Sequence, residues 1–467
     1  MKRKIIALTL ALALLLPGLL LSAQAAPAYT IGNPYESVDW AIWQAYKTQL
    51  HVHTNGSDGS EPLDVVVEEH YSLGYDILAI TDHMTLGMPW DQMPRTVPIA
   101  RLIKYDRTKM AVMQPISSER RQEIFAGVGR DGRGMLEITR GVELNGAVPG
   151  DSHLQGFFSD FGQGFIGMAL DYETPVRRNA KDGGLTVINH IGNTSGADKS
   201  GESFYDDNPS WIDKFGYLFV NYPSCIGMDI NSGSDDGTKF DKILYDEILA
   251  KTIPYGVVPW AFTYSDAHTP GQFDRAWTVH LMPPGPTEAK LRKSMEDGTF
   301  FGFSRHARLE RGDDSFVGVG DPPVVSHIAV DNVAGTISIT ASSFDTIVWT
   351  SMGEEVARVT APDLGSYTET LSIPASEAKI GSYVRAYLLG PGGILYIQPF
   401  TVLRDGQTLP KENISRVLDY SIPLGWISAA FDFLANYTPV WFIRWIMVRF
   451  DPYVDLPWID WESLVEG

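Results

Sequence analysis

Gln49-Leu50-His51-Val52-His53-Thr54 reads as a strand that ends on two imidazoles, and Asp76-Ile77-Leu78-Ala79-Ile80-Thr81-Asp82-His83 as a second strand that ends on a third. Strand side chains alternate between faces, so His51 and His53 share a face and one metal ion can take both. Asp58 falls between the two strands and adds a carboxylate. A site this rich in donors predicts more of them at later strand ends. Glu143 sits near the end of the stretch 135–144, with His153 beyond it. His190 follows the apolar run 185–188, and Asp266 and His268 follow 257–264. Asp266-Ala267-His268 repeats the one-face spacing of the opening pair. Asp82 and Asp229, the latter on a strand over 226–230, read as groups that orient donors from behind.

Each of these residues has an ordinary explanation alone. Asp58 in Ser57-Asp58-Gly59 suits a turn, and His190 could bond a neighbouring backbone group. Nine metal-competent residues at strand ends are a different matter, and their joint placement points to a metal site. Imidazole mixed with carboxylate suits zinc, manganese or iron, whereas calcium wants oxygen alone.

Around these strands the pattern is α/β. Ser60 and Pro62 open a helix that Gly74 stops, and Thr174-Pro175 opens another that closes at Gly183-Gly184. Polar residues at the carboxyl ends of apolar strands are the arrangement of (β/α) barrels, and also of open doubly wound sheets. Convergence from this many strands favours the barrel, over 40–310. The stretch 87–134 is long for one connection and reads as an insertion with a helix over 117–125, able to cover the site. From 322 to 405 short alternating strands split by Gly, Asp and Pro predict a small β-sandwich. The segment 413–467 carries Trp426, Trp441, Trp445, Trp458 and Trp461 among polar interruptions. It reads as amphipathic helices that pack on the body or touch a membrane surface.

Residues 1–26 combine Lys2, Arg3 and Lys4 with an apolar run and Ala23-Gln24-Ala25, the pattern of a secretory signal, cleaved or kept as an anchor. The protein is therefore expected to be secreted or otherwise extracytoplasmic. Its only cysteine, Cys225, permits no intrachain disulfide and reads as a core residue. A formal net charge of -20 disfavours extended nucleic acid as a partner.

The motifs Leu50-His51-Val52-His53-Thr54, Ser57-Asp58-Gly59, Ala79-Ile80-Thr81-Asp82-His83, Gly141-Val142-Glu143, His153-Leu154-Gln155-Gly156-Phe157-Phe158, Val187-Ile188-Asn189-His190 and Ser265-Asp266-Ala267-His268 resemble, in order, those of the PHP (polymerase and histidinol phosphatase) family of metal-dependent phosphoesterases. The resemblance spans 49–305. It implies a distorted (β/α)7 barrel with two or three divalent ions. His51, His53, Glu143 and Asp266 would hold the first, and Glu143, His153 and His190 the second. Asp58, His83 and His268 would hold the third. It further implies hydrolysis of a phosphate mono- or diester by water activated between ions, with Glu143, Asp266 and His190 closest to the chemistry and a small phosphorylated substrate as partner. Two features depart from the family pattern: Ile191 stands where Pro is common, and the insertion after His83 is long. No motif places the substrate-binding cation; Arg275, just past His268, is the candidate. Two readings compete. One is a metal-stabilised binding protein without catalysis. The other is an amidohydrolase-like C–N hydrolase, which usually relies on a bridging lysine that none of these motifs supplies.

Overall fold

The computed structural model describes residues 29–93, 114–145, 152–162, 171–233, 235–418 and 426. Its strands are β1 (Tyr29–Gly32), β2 (Gln44–Gln49), β3 (Ile77–Ala79), β4 (Leu136–Ile138), β5 (Val142–Asn145), β6 (His153–Phe157), β7 (Leu185–Ile188), β8 (Cys225–Asp229) and β9 (Trp260–Phe262). They continue as β10 (Ala276–Met282), β11 (Phe300–Ser304), β12 (Val324–Asp331), β13 (Thr336–Ser342), β14 (Thr346–Ser351), β15 (Glu354–Thr360), β16 (Tyr367–Ser372), β17 (Tyr383–Gly390), β18 (Gly393–Ile397) and β19 (Phe400–Arg404).

Two sheets carry the site. One runs β5-β6-β7-β8-β9, and the other contains β10-β2-β3-β4 with β2, β3 and β4 parallel. The first helix, Leu63–Ser72, buries Leu63, Val66, Val67, His70 and Tyr71 along one side. Its N-cap is Pro62, with no side-chain cap, rather than the expected Ser60, whose hydroxyl bonds Glu61 instead. The expected strand over 135–144 is two strands. Arg140 takes a φ of 62° and breaks the run, so β4 pairs with β3 in one sheet while β5 pairs with β6 in the other. Tyr46, Leu50, Ile77, Ala79 and Ile138 from one sheet pack with Phe157, Leu185, Val187, Ile226 and Phe262 from the other in one buried apolar cluster. The sheets therefore face each other across a shared interior.

The expected (β/α)7 barrel is not closed by a continuous ladder among the described residues. Its place is taken by two isolated parallel bridges, Val52 with Ala267 and His83 with Glu143. On the edge that faces β9, His51 N donates to Gln49 Oε1 (3.2 Å), and Ser265 N of the opposite sheet donates to the same oxygen (3.4 Å). One side chain thus satisfies groups on both edges where a ladder would otherwise do so.

The short strands expected over 322–405 are present, but they do not form a unit of their own. β12, β13 and β16 form a three-stranded sheet, but β14, β15, β17, β18 and β19 belong to the same 11-stranded sheet as β2 and β3. β18 pairs with β11 from Phe301↔Ile397 to Ser304↔Ile394, and β1 pairs with β19. The small sheet packs its alternating Ile328, Ile337, Ile339 and Leu371 into the cluster that holds Ile347, Val384, Ala386 and Leu388. Buried Arg385 on β17 pairs with Asp246, which also accepts the Tyr383 hydroxyl at 2.6 Å, so polar contacts cross the same boundary.

The signal segment 1–26, residues 94–113 of the insertion and most of the Trp-rich segment lie outside the described residues. The described part of the insertion includes a helix, Ser118–Ala126. At the start of the tail, Arg416 Nε reaches Glu173 Oε2 at 2.6 Å, and Trp426 is exposed. Among the described residues no helix is long and apolar enough to cross a membrane.

Candidate metal centre

All nine predicted donors come together. They fall into three overlapping groups: His53, Asp58, His83 and His268; His51, Glu143, His190 and Asp266; and His83, Glu143 and His153. His51 and Glu143 are fully buried, while Asp58 and His268 keep about a quarter of their side chains open to solvent. Three of the positive-φ residues, Met84 (51°), His190 (22°) and Asp266 (47°), stand at or next to these donors. Non-glycine backbone in that region costs about 1–3 kcal/mol and persists where surroundings enforce it. Gly59 serves by its size, since a Cβ there would stand 2.4 Å from the His53 carbonyl oxygen.

The spacing of the donors tests whether an ion fits. Two ligands about 2.1 Å from one ion lie about 3.0 Å apart at a right angle and about 3.4 Å apart at the tetrahedral angle. His51 Nε2 is 3.0 Å from Asp266 Oδ1, 3.4 Å from Glu143 Oε2 and 3.1 Å from His53 Nε2. His53 Nε2 is 3.2 Å from Glu143 Oε2 and 3.3 Å from Asp266 Oδ1. Glu143 Oε2 and Asp266 Oδ1 are buried without a hydrogen bond of acceptable geometry, despite these near neighbours. Four donor atoms that converge at this spacing, two of them buried carboxylate oxygens with no hydrogen bond, are arranged as ligands of a shared cation. The other Glu143 oxygen, Oε1, is 3.1 Å from both His153 Nδ1 and His190 Nε2. Asp58 Oδ2 is 3.2 Å from His83 Nε2, and Asp58 Oδ1 is 3.3 Å from His268 Nε2.

Hydrogen bonds behind the donors fix which ring nitrogen is open. Asp82 is a carboxylate that only accepts; it takes Thr54 Oγ1 at 2.5 Å and Ser57 Oγ at 2.6 Å. The Ser57 hydroxyl hydrogen is thereby spent, and its oxygen accepts from His53 Nδ1 at 3.0 Å. His53 Nε2 is left with a free lone pair aimed at His51, Glu143 and Asp266. Proximity alone groups His53 with Asp58, whose Oδ1 is 3.4 Å from Nδ1, but that nitrogen is engaged by Ser57. His268 Nδ1 likewise donates to the Asp266 carbonyl at 2.9 Å, which frees its Nε2 for the Asp58 side.

The charges reinforce one another. Burial would lower the His51 imidazole, but the Asp266 and Glu143 carboxylates outweigh it and raise the ring to about 10. Burial opposes the Asp58 carboxylate, yet hydrogen bonds from His268 and His83 hold it well below the usual range. Metal binding here must displace protons from imidazoles.

The remaining predicted residues differ in how closely they approach. Asp82 acts on His53 through Ser57, as above. Asp229 is buried and raised by burial; His51 opposes the rise electrostatically, with no hydrogen bond between them. Arg275 bonds the carbonyls of Gly271 (3.2 Å) and Gly233 (3.5 Å), beside the loop that carries Asp266. Sequence reading did not single out Ser57, Thr54, Asn145 or Asn189 as site residues. Asn189 Nδ2 donates to Glu143 Oε1 at 3.0 Å. The period-two rule could have found Asn145, which follows Glu143 by two on a strand.

The chain is similar to PHP-like metal-dependent phosphoesterases. A two-domain protein from Bacteroides vulgatus, described as containing a predicted PHP-like metal-dependent phosphoesterase, is 15% identical; the match covers 78% of this chain and 96% of that one, with a TM-score of 0.38. An amidohydrolase from Chromobacterium violaceum is 16% identical over 54% of this chain and 96% of its own, with a TM-score of 0.27. PsfC from Pseudomonas syringae is 12% identical over 55% of this chain and 88% of its own, with a TM-score of 0.31. No family model and no curated protein matches the chain. The PHP-like motifs and their clustered donors support a metal-dependent hydrolase, and that reading rests on the side-chain geometry.

Proposed function

We propose that this chain is an extracytoplasmic phosphoesterase that uses two or three divalent ions of zinc, manganese or iron. The observation that carries the reading is Glu143. Its Oε2 faces His51 and His53 while its Oε1 faces His153 and His190, so one buried carboxylate lies between two donor sets. Divalent ions held by these two donor sets would supply Lewis acidity to a phosphoryl group and would activate water. Three carboxylates, Asp58, Glu143 and Asp266, offset only part of the charge of two or three such ions. The resulting positive centre favours an anionic substrate and suits charge that grows on phosphoryl oxygens.

The chain's own residues have separable tasks. His51, His53 and Asp266 hold one position, and Glu143 joins it to the next. Asp58, with about a quarter of its side chain exposed, and His268 form the open side where substrate arrives. His190 is placed to hold a proton for a leaving alkoxide when its Nε2 is not a donor. Arg275 is a candidate for phosphate contact because its guanidinium bonds only carbonyls in the described contacts. None of the sequence motifs that carry the donors contains a lysine, which favours phosphoryl over C–N chemistry. The basic and apolar segment 1–26 supports export, the acidic surface supports a small substrate over long nucleic acid, and the Trp-rich tail supports contact with a membrane surface.

The test pairs elemental analysis with a panel of phosphate mono- and diesters run beside an amide panel. Bound divalent metal with phosphate-ester turnover is expected, and both should be lost in His51→Ala and Asp266→Ala. Turnover retained in those variants, or amide hydrolysis in place of ester hydrolysis, overturns the proposal.

A further inference from the structure

Asn145 is shared by two of the candidate donors, and its chemistry sets them against each other. It lies on β5 two residues after Glu143, directly opposite His153 in the β5–β6 ladder. Its Oδ1 is 2.7 Å from His83 Nδ1, and its Nδ2 is 2.9 Å from His153 Nε2. One end of the amide accepts and the other only donates. His53 and His268 differ in this respect: each has its own acceptor for Nδ1, in Ser57 and in the Asp266 carbonyl.

In the orientation shown, His83 Nδ1 stands between Asn145 Oδ1 and Glu143 Oε2 (3.0 Å), so a ring that gives up one proton to an ion keeps the one on Nδ1 and opens Nε2 toward Asp58. His153 then accepts at Nε2, so its neutral ring is protonated at Nδ1, the nitrogen that faces Glu143. Turning the amide over reverses both rings: His153 opens Nδ1 toward Glu143, and His83 is protonated at the nitrogen that faces Asp58. Asn145 therefore favours the same tautomer in both rings. An ion on Glu143, His153 and His190 together with an ion on Asp58, His83 and His268 requires opposite tautomers.

We propose that Asn145 is a positioning residue that couples these two ion sites negatively, so that the chain binds two ions firmly and the third weakly. This inference rests on the metal-site reading above. The test is titration of the metal-free full chain with Zn2+ against a chromophoric chelator, with bound ions counted by elemental analysis. Two ions are expected to bind, with a third at least tenfold weaker. Asn145→Leu, similar in size and uncharged, removes the shared amide and should shrink that gap to less than threefold. Nitrogen-15 NMR of the metal-free wild type, at a pH high enough to leave both rings neutral, should show His83 and His153 in the same tautomer, a readout independent of the variant's folding. Three ions of equal affinity in the wild type, a gap that survives in a folded Asn145→Leu, or opposite tautomers in the two rings each overturn the coupling. A chain that binds no ion overturns the phosphoesterase reading itself.

Discussion

Ser57→Ala is the substitution that most directly tests how this centre is oriented. Ser57 is not itself one of the nine donors, yet its hydroxyl joins Asp82 (2.6 Å) to His53 Nδ1 (3.0 Å) and stands 3.2 Å from Asp58 Oδ1. Without it, His53 loses the acceptor that holds its proton on Nδ1, and Nε2 is no longer reserved for the His51, Glu143 and Asp266 side. Asp82 keeps its two bonds from Thr54, so the buried carboxylate is not abandoned and the fold should survive. Removing such an outer partner typically costs 10–100-fold in metal affinity, or about 1.4–2.8 kcal/mol. Chelator competition with Zn2+ should show that loss at the ion held by His51 and His53. Thr54→Val is the control: it removes one donor to Asp82 but leaves the Ser57–His53 contact, and should cost less than threefold. Wild-type affinity at every ion in a folded Ser57→Ala chain would refute the claim that this relay fixes His53.

Glu143→Gln should lose the two ion positions that meet at this residue while Asp58, His83 and His268 retain one, which elemental analysis after dialysis will show. Arg385→Ala leaves Asp246 buried opposite Tyr383 alone and should destabilise the protein by about 3–5 kcal/mol in urea, as expected if the C-terminal strands are integral to the body. Acid stability should fall through His70. Burial lowers this fully enclosed ring from 6.5 to about 4 in the folded state, so the unfolded chain binds the proton more tightly below pH 6.5. Stability from this group is complete above that value and is lost as pH falls toward 4. The loss at pH 5 is roughly 2 kcal/mol, measurable by comparing wild type with His70→Gln in urea.

The sequence by itself determined which atoms could bind metal and the order in which strands would deliver them. Donor chemistry is a property of residue type, and period two in a strand is local, so His51 with His53 and Asp266 with His268 were legible at once. The β-rich character of 322–405 was legible for the same reason, since Thr336-Ile337-Ser338-Ile339-Thr340 alternates in the sequence as it does in burial. What the tertiary structure decided was pairing. Alternation says that a strand has an apolar face but does not name the neighbour at its edge, so the junction of β18 with β11 could not be read from the sequence. The break at Arg140, where the chain passes from one sheet to the other, was likewise hidden in an unbroken-looking run. The donors' division of labour also needed three dimensions. A ring nitrogen is open or closed according to what stands behind it, and Ser57, Asp82 and Asn145 reach those positions only when separate strand ends meet.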